Sequence, residues 1–498
     1  MADVTIKQCD SVNVSVSCER SLAKELSDFF TFKVPGFQFM PAYKNKMWDG
    51  TIKLYNMFSE HLYAGLLDYV KLFCEERGYS LDIEDELNPQ NNVTPDQVKK
   101  FINEHLQPVV NKDRIYPHDH QIDAVTHAIN KDRCLLLSPT GSGKSLMIYS
   151  LVRYYMDKIP SDKKILIIVP TTSLVTQMYS DFQEYSTGDV NFDSNQECHT
   201  VFAGQDKIND SKIIISTWQS IYKMPKKYFD NFGAVFGDEC HLFKAKSLTT
   251  IMTKLIDCPY RIGTTGTLDG TQTHKLVIEG LFGVAKKVVD TKKLMDEDLL
   301  ASLSIDCILL DHEQEDRKTV SKLKYFDELE WIVMNQKRND FIANMAKNLK
   351  GNTLILFQLV EKHGKHLNKL MESVCSNHKV FFVHGGTAVE DREAVRKITE
   401  ENENAIIVAS YGTFSTGISI RRLHNIIFAS PSKSRVRVLQ SIGRQLRKSE
   451  HKDMARLYDI GDDLSWKSRK NHTLKHFIER MKLYNAERFD YRSIKIKL

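Results

Sequence analysis

Ser138-Pro139-Thr140-Gly141-Ser142-Gly143-Lys144-Ser145 is the stretch from which the rest of the chain is read. An apolar run at 134–137 precedes it, and apolar residues at helical spacing begin at 146. A strand, a tight glycine-rich turn and a helix N-terminus together make a phosphate cradle, because unpaired backbone N–H groups and the helix dipole point the same way. The N–H groups of Thr140, Gly141, Ser142 and Gly143 would face the phosphates, Lys144 would reach the β- and γ-oxygens, and the Ser145 hydroxyl would hold Mg²⁺. Ser138 stands where the commonest form of this pattern has glycine. The flanking strand and helix argue against an ordinary loop of small residues.

The chain has 498 residues, 42% hydrophobic and 27% charged, a composition expected of a globular protein with roughly three or four domains. Mean hydropathy is −0.36, and without a run of about 18 apolar residues no membrane span is expected. MADVTIKQCD at the start lacks the basic-then-apolar order of a secretion signal. Nine cysteines without a C-x-x-C pair argue against a zinc site or disulfide framework and for a reducing cytoplasm. His363 and His366 are expected as surface histidines.

The net charge of +5 is unevenly spread. Residues 1–113 carry 12 Lys/Arg against 17 Asp/Glu, whereas 465–498 carry 10 against 3. A basic tail on a near-neutral chain points to a polyanion partner.

Residues 1–85 read as a small α+β module, with strands at 4–7 and 12–17 and helices at 21–30 and 64–77, the last stopped by Gly78. Stretches 37–40 and 51–55 are expected to pair through a Trp48-Asp49-Gly50 turn. Lys33, Lys44, Lys46 and Lys53 alternate there with Phe37, Phe39, Tyr43, Trp48 and Tyr55. Such a pattern suits either nucleic-acid contact or the core of a small module. Residues 86–113 supply a linker and a helix at 95–105 capped by Thr94.

Residues 114–290 alternate strand and helix, the rhythm of a parallel sheet with crossovers. The β-branched run 165–169 ends in Pro170-Thr171-Thr172 before a helix at 173–185, and further buried strands are expected at 213–216 and 235–236. The last runs into Gly237-Asp238-Glu239-Cys240-His241. Carboxylates at the C-terminal end of a strand, beside a phosphate loop, suit a magnesium-bound nucleotide. Asp238 would orient the metal and Glu239 would polarise the attacking water.

Residues 305–462 repeat the alternation without a second phosphate loop, with strands expected at 354–357, 380–383, 406–409, 426–429 and 455–460. Arg444 and Arg447 lie three apart on an expected helix and share a face. A planar cation suits a transferring phosphoryl group, so both are candidate catalytic arginines. Residues 463–498 read as a basic tail, helical over 465–489 and alternating over 491–498, free either to pack back or to touch nucleic acid.

In this order and spacing the segments resemble the superfamily 2 helicases and translocases across about 114–462, where Ser at the first loop position is usual. The resemblance implies two tandem RecA-like domains and ATP as the nucleotide. Gln121, following Ile115-Tyr116-Pro117, would read adenine. Thr171 and Gln177, then Thr217, Gln219 and Ser220, match motifs that grip one strand's backbone, as Gly385 does within His384-Gly385-Gly386. Thr265-Gly266-Thr267 stands where the family couples hydrolysis to domain movement. Stretch 354–358 opens the second domain's motifs, and 410–419 and 440–447 are its last two. Gly266 replaces the usual Ala, and Ser419 stands where many members carry Asp.

With the acidic N-terminal module included, the chain is similar to recombination helicases of phage. That implies an ATP hydrolase active in DNA recombination, repair and replication: Holliday-junction branch migration, stalled-fork regression, R-loop and D-loop dissociation, and strand annealing. Expected partners are branched, single-stranded and duplex DNA, RNA–DNA hybrids, and single-strand-binding or recombination proteins. An RNA helicase and the motor subunit of a restriction-type nuclease complex remain alternatives.

Overall fold

The protein is described here by a computed structural model. It describes residues 2–498 apart from 88–90, 203, 244, 267, 269–271, 418–419, 421, 433, 435–437, 440, 444–445 and 447–453. The chain divides into two compact units, residues 1–138 with 142–289, and 290–498 with the tripeptide 139–141.

In the first unit seven parallel strands lie in the order Cys198–Val201, Ile213–Thr217, Lys164–Val169, Phe232–Gly237, Tyr260–Thr265, Arg133–Leu137, Ala285–Lys287. Ile165, Leu166, Ile167, Ile168 and Val169 are all inaccessible to solvent, as a strand covered by helices on both faces requires. Parallel pairing brings the C-terminal ends of neighbouring strands to one edge. Thr265 lies opposite Leu137, and Gly237 opposite Gly263. The phosphate loop, the coupling motif and the acidic pair thus leave the sheet side by side, and the ends of Lys164–Val169 and Ile213–Thr217 continue the row.

The N-terminal module belongs to this same unit. Its sheet has the order His61–Tyr63, Asn13–Cys18, Val4–Gln8, Leu81–Ile83. Val4, Ile6, Val14 and Val16 point inward at every second position, the period of a half-buried strand. Helix Leu67–Arg77 ends where Gly78 adopts φ +72°. The module's core also takes in Leu276. Tyr69 donates its hydroxyl to the buried Glu279 carboxylate at 2.8 Å, and Ser11 N–H to the Ile256 carbonyl at 2.9 Å.

The hairpin expected between 37–40 and 51–55 is not formed. Thr51–Lys53 pairs with Thr31–Lys33, and Phe37–Phe39 is a single 3₁₀ turn. Pro41 lacks a ladder N–H and instead opens the short helix Pro41–Lys44, as proline at a first helical position does. The aromatics divide accordingly: Tyr55 is buried with its hydroxyl on the Val16 carbonyl, while Phe39, Tyr43 and Met47 are exposed. Thr94 caps Pro95–Lys100 through a reciprocal bond pair with Gln97.

The second unit holds another parallel sheet, in the order Lys379–Val383, Ala405–Ser410, Thr353–Phe357, Asn425–Phe428, Met454–Asp463, Ser302–Asp311, Tyr491–Lys497. The basic tail therefore packs back. Its helix is shorter than expected, His472–Ala486, and its alternating end becomes an edge strand parallel to Ser302–Asp311. Buried Arg480 grips the Asp459 carboxylate through Nε and Nη2, and Tyr484 donates to the same carboxylate at 2.8 Å. His363 is not on the surface: it is buried between Ser430 and Asn339, and burial holds its imidazole well below the usual value. His366 is exposed, as expected.

Candidate active site

Strand Arg133–Leu137 delivers the phosphate loop and helix Lys144–Met156 takes the chain away. Gly141 and Gly143 have φ of +87° and +81°, the left-handed region that glycine enters without steric cost. At Gly143 space matters as well, since a Cβ would lie 2.0 Å from Gln121 Nε2. The Ser138 and Ser142 hydroxyls bond each other at 2.5 Å across the base of the loop. Lys144 Nζ donates to the Ser138 carbonyl at 3.2 Å and lies 3.5 Å from Glu239 Oε1. Its ammonium is thereby held over the turn, next to the carboxylate of the acidic pair.

Gln121 is buried behind the loop. Its Nε2 donates to the Ser142 carbonyl at 3.0 Å and its Oε1 accepts from His118 N–H at 2.9 Å. His120 Nε2 contacts the same Ser142 carbonyl at 3.0 Å. Both ends of the Gln121 amide are thus engaged with the chain, in a helix-capping arrangement. The spacing of His118 and Gln121 suits the local cap, but nothing in the sequence pointed to the Ser142 carbonyl as the partner or to His120.

Asp238 accepts from Thr264 Oγ1 at 2.7 Å and from Glu239 N–H at 2.9 Å. Burial, and after it the neighbouring Glu239 charge, push its carboxyl up to about 6. Glu239 has φ +49°, a left-handed conformation that costs a non-glycine residue on the order of 1–3 kcal/mol and tends to occur at functional sites. That turn aims Oε2 at His241 Nδ1, 3.4 Å away, and His241 in turn bonds the Thr265 hydroxyl. Gly266 N–H reaches Glu239 Oε2 at 3.5 Å. The acidic pair and the coupling motif therefore share a hydrogen-bonded chain in which Thr264 had not been anticipated. Ser145 Oγ lies 2.9 Å from the Tyr185 hydroxyl.

The strand-gripping candidates of the first unit gather on the adjoining stretch of the same edge. Thr171 caps helix Thr172–Tyr185, and Gln177 is exposed along it. Thr217 shares a hydroxyl contact of 2.9 Å with Ser220, and Gln219 Nε2 donates to the Pro170 carbonyl at 3.2 Å. Gly385 follows strand Lys379–Val383 in the second unit, exposed, with open space where a Cβ would stand. Arg444 and Arg447, like Thr267 and Ser419, lie outside the described residues. Among the described residues no helix is long and apolar enough to cross a membrane, and no group of three or more His, Cys, Asp or Glu is placed to hold a metal.

A glycine-rich phosphate loop and an acidic pair at one edge of a RecA-like parallel sheet, followed by a second such sheet, define an ATP-hydrolysing superfamily 2 helicase. Known families agree: "Type III restriction enzyme, res subunit" matches 114–270, "Helicase conserved C-terminal domain" 336–449, and "DNA helicase UvsW, N-terminal" 3–84. The ATP-dependent DNA helicase uvsW of Enterobacteria phage T4 is 34% identical over 98% of both chains. The crystal structure of T4 UvsW superposes over 99% of both chains with a TM-score of 0.54 and 33% identity. A DNA 3'-5' translocase, XPB2 of Sulfurisphaera tokodaii, is 24% identical over 68% of this chain and 80% of its own. The chain belongs to the UvsW family of ATP-dependent DNA helicases.

Proposed function

We propose that this helicase hydrolyses ATP to remodel branched DNA: migrating Holliday junctions, regressing stalled forks and dissociating R-loops and D-loops. The observation that carries the reading is the N-terminal module. It matches the UvsW N-terminal family over 3–84 and is joined to the motor's first sheet by a shared core and the Tyr69–Glu279 bond. A module so held turns with the sheet that binds nucleotide, so force developed there reaches whatever DNA arm the module touches. RNA–DNA hybrids, strand annealing and single-strand-binding or recombination proteins as partners belong to the same proposal.

In this reading the loop N–H groups and Lys144 bind the triphosphate, and Glu239, oriented by His241 and Gly266, takes a proton from the attacking water. Ser145 and Asp238 would hold Mg²⁺. The residues fit it, because Asp238 and Glu239 set two carboxylates side by side, and burial, with the Glu239 charge after it, raises the Asp238 carboxyl to about 6, an excess of negative charge that a divalent cation relieves. Two protein ligands suffice for a metal that keeps waters and phosphate oxygens. Bound there, the metal would neutralise charge developing on the phosphoryl oxygens. Arg444 and Arg447 are the proposed partners of the transferring phosphoryl group. Thr171, Gln177, Thr217, Gln219, Ser220 and Gly385 are the proposed backbone contacts, so binding should be weakly sequence-specific and strongly salt-dependent.

A substrate panel tests the proposal: forks, Holliday junctions, R-loops and plain duplex, each with ATP and with a non-hydrolysable analogue. Branched substrates should be processed with ATP alone. Equal processing of branched and plain duplex would refute it.

A further inference from the structure

The second sheet carries a charged feature that neither hydrolysis nor the strand-gripping motifs use. Strands Ser302–Asp311 and Met454–Asp463 pair in parallel from Ser302 opposite Met454 to Asp311 opposite Asp463. The chain therefore leaves both at the same edge, and a basic segment follows each, after the acidic stretch 313–316 in the first case and directly in the second. Residues 317–326 contain four cations and no carboxylate, and 465–476 likewise contain four and none.

The two segments are locked together. The buried Glu328 carboxylate accepts from the backbone of His472 at 3.0 Å and Thr473 at 2.7 Å, and from the Thr473 hydroxyl at 2.9 Å, clasping the start of helix His472–Ala486. Arg469 donates to the Ser321 carbonyl, and the Tyr325 ring meets His476 at 5.2 Å. Such a clasp fixes like charges side by side against their mutual repulsion, which a folded chain has no need to do for stability.

Lys318, Lys322 and Lys324 from the first segment and Lys467, Arg469 and Lys470 from the second are all exposed. None of the six is in an ion pair among the described residues. Several of the flanking acids are engaged elsewhere: Asp311 with Arg317 and with Lys495 at 3.2 Å, Glu313 with Lys337 at 2.7 Å, Asp463 with the Ser465 N–H at 3.1 Å, Glu479 with Lys482 at 2.8 Å; Glu315, Asp316 and Asp327 border the first segment in the sequence. Two residues after Lys324 in the chain, the Phe326 ring is 78% exposed. Exposed lysines and an open aromatic ring on one segment are the chemistry of a DNA strand with an unpaired base: phosphates meet ammonium groups and the base stacks. This platform lies at the same sheet edge from which His384-Gly385 and Ser410 depart.

We propose that the Lys318–Lys324 and Lys467–Lys470 segments form an accessory DNA-backbone site on the second unit, with Phe326 stacking on an unpaired base of a branched substrate. The site adds a contact to the DNA-helicase activity and rests on that activity.

The test uses the full-length protein and a labelled forked DNA, with affinity followed from about 50 to 200 mM salt. Replacing Lys318, Lys322 and Lys470 together by Gln should make the slope of log affinity against log salt shallower by about 2, since each phosphate contact contributes about 0.7–0.9. Hydrolysis at saturating DNA should be unchanged, and the matching Lys→Arg triple should restore the slope. Phe326→Ala should weaken fork binding by roughly 5-fold or more, the worth of one stacked base, and leave binding of a fully paired duplex unchanged. An unchanged slope in the Gln triple overturns the inference. So does an equal change in a Lys226→Gln, Lys227→Gln control, whose exposed lysines precede strand Phe232–Gly237 in the other unit. If the parent's hydrolysis ignored DNA, the motor reading itself would fail, an outcome separate from these.

Discussion

Gly65→Ala puts the joint between the N-terminal module and the motor under direct test. A Cβ at Gly65 would stand 2.1 Å from the Glu279 carbonyl oxygen, 2.7 Å from that of Gly280 and 2.9 Å from Gly283 N. All three are backbone atoms at the end of helix Gln272–Phe282, so no side chain can swing aside. Ordinary contact begins at 3.4 Å, so going from 2.1 to 3.4 Å requires the two bodies to part by about 1.3 Å. That movement breaks the 2.8 Å bond from Tyr69 to Glu279. Overpacking costs about 1–3 kcal/mol and the lost bond to a buried carboxylate about 1.5–3. Together the loss is about 2.5–6 kcal/mol, or about 5–12 °C in Tm at roughly 2 °C per kcal/mol for a unit of this size. Scanning calorimetry should show the fall, limited proteolysis should release a fragment near residue 85, and fork remodelling should drop at least tenfold while DNA-stimulated hydrolysis stays within about twofold. A variant that melts within about 1 °C of the parent and remodels forks at the parental rate would refute the reasoning. The substitution is cleaner than deleting residues 1–85, because Leu54 and Tyr63 pack against the cores of both the module and the motor.

Three other outcomes are expected. Lys144→Ala should abolish ATP turnover and leave DNA affinity near normal; continued hydrolysis would remove the loop from the mechanism. Asp238→Asn should also abolish turnover while stabilising the nucleotide-free, EDTA-treated protein. Folding raises this carboxyl from 3.8 to about 6, so the folded state binds its proton more tightly and loses stability as pH rises between those values, by up to about 3 kcal/mol at 1.36 kcal/mol per pH unit. The gain in Tm should therefore be full above pH 6 and vanish below about 4, and a gain independent of pH would contradict it. Arg447→Ala should cut hydrolysis by about 10³-fold or more with nucleotide affinity nearly unchanged; equal rates in variant and parent would exclude its role.

Charge explains why burial of this kind is tolerated in the motor. Asp238 and Glu239 are held close to Lys144, whose ammonium lies 3.5 Å from Glu239. The pair is thus partly compensated before any nucleotide arrives, and the left-handed turn at Glu239 keeps its carboxylate aimed. Such strain persists only where the surrounding bonds over-determine it.

Local chemistry settled much of this protein in advance. The glycine turn, the apolar five-residue strands and the acidic pair are each dictated by neighbours in sequence, since φ preference, β-branching and strand-end position act over a few residues. They sufficed to read two parallel-sheet domains and to expect the glycine turn and the acidic pair at strand ends, where they stand. What depends on distant partners was not legible. Gln121 is braced behind the loop by a carbonyl 21 residues away, His363 is buried by Ser430 across 67 residues, and Thr51–Lys53 chose Thr31–Lys33 over the nearer 37–40. The basic tail is the clearest case. Its alternating end was equally suited to solvent or to a sheet, and only the open side of Ser302–Asp311, together with the Asp459 carboxylate waiting for Arg480, made it the seventh strand. Sequence settles which backbone shapes are cheap, but burial and charge pairing are set by groups that only the folded chain brings within reach.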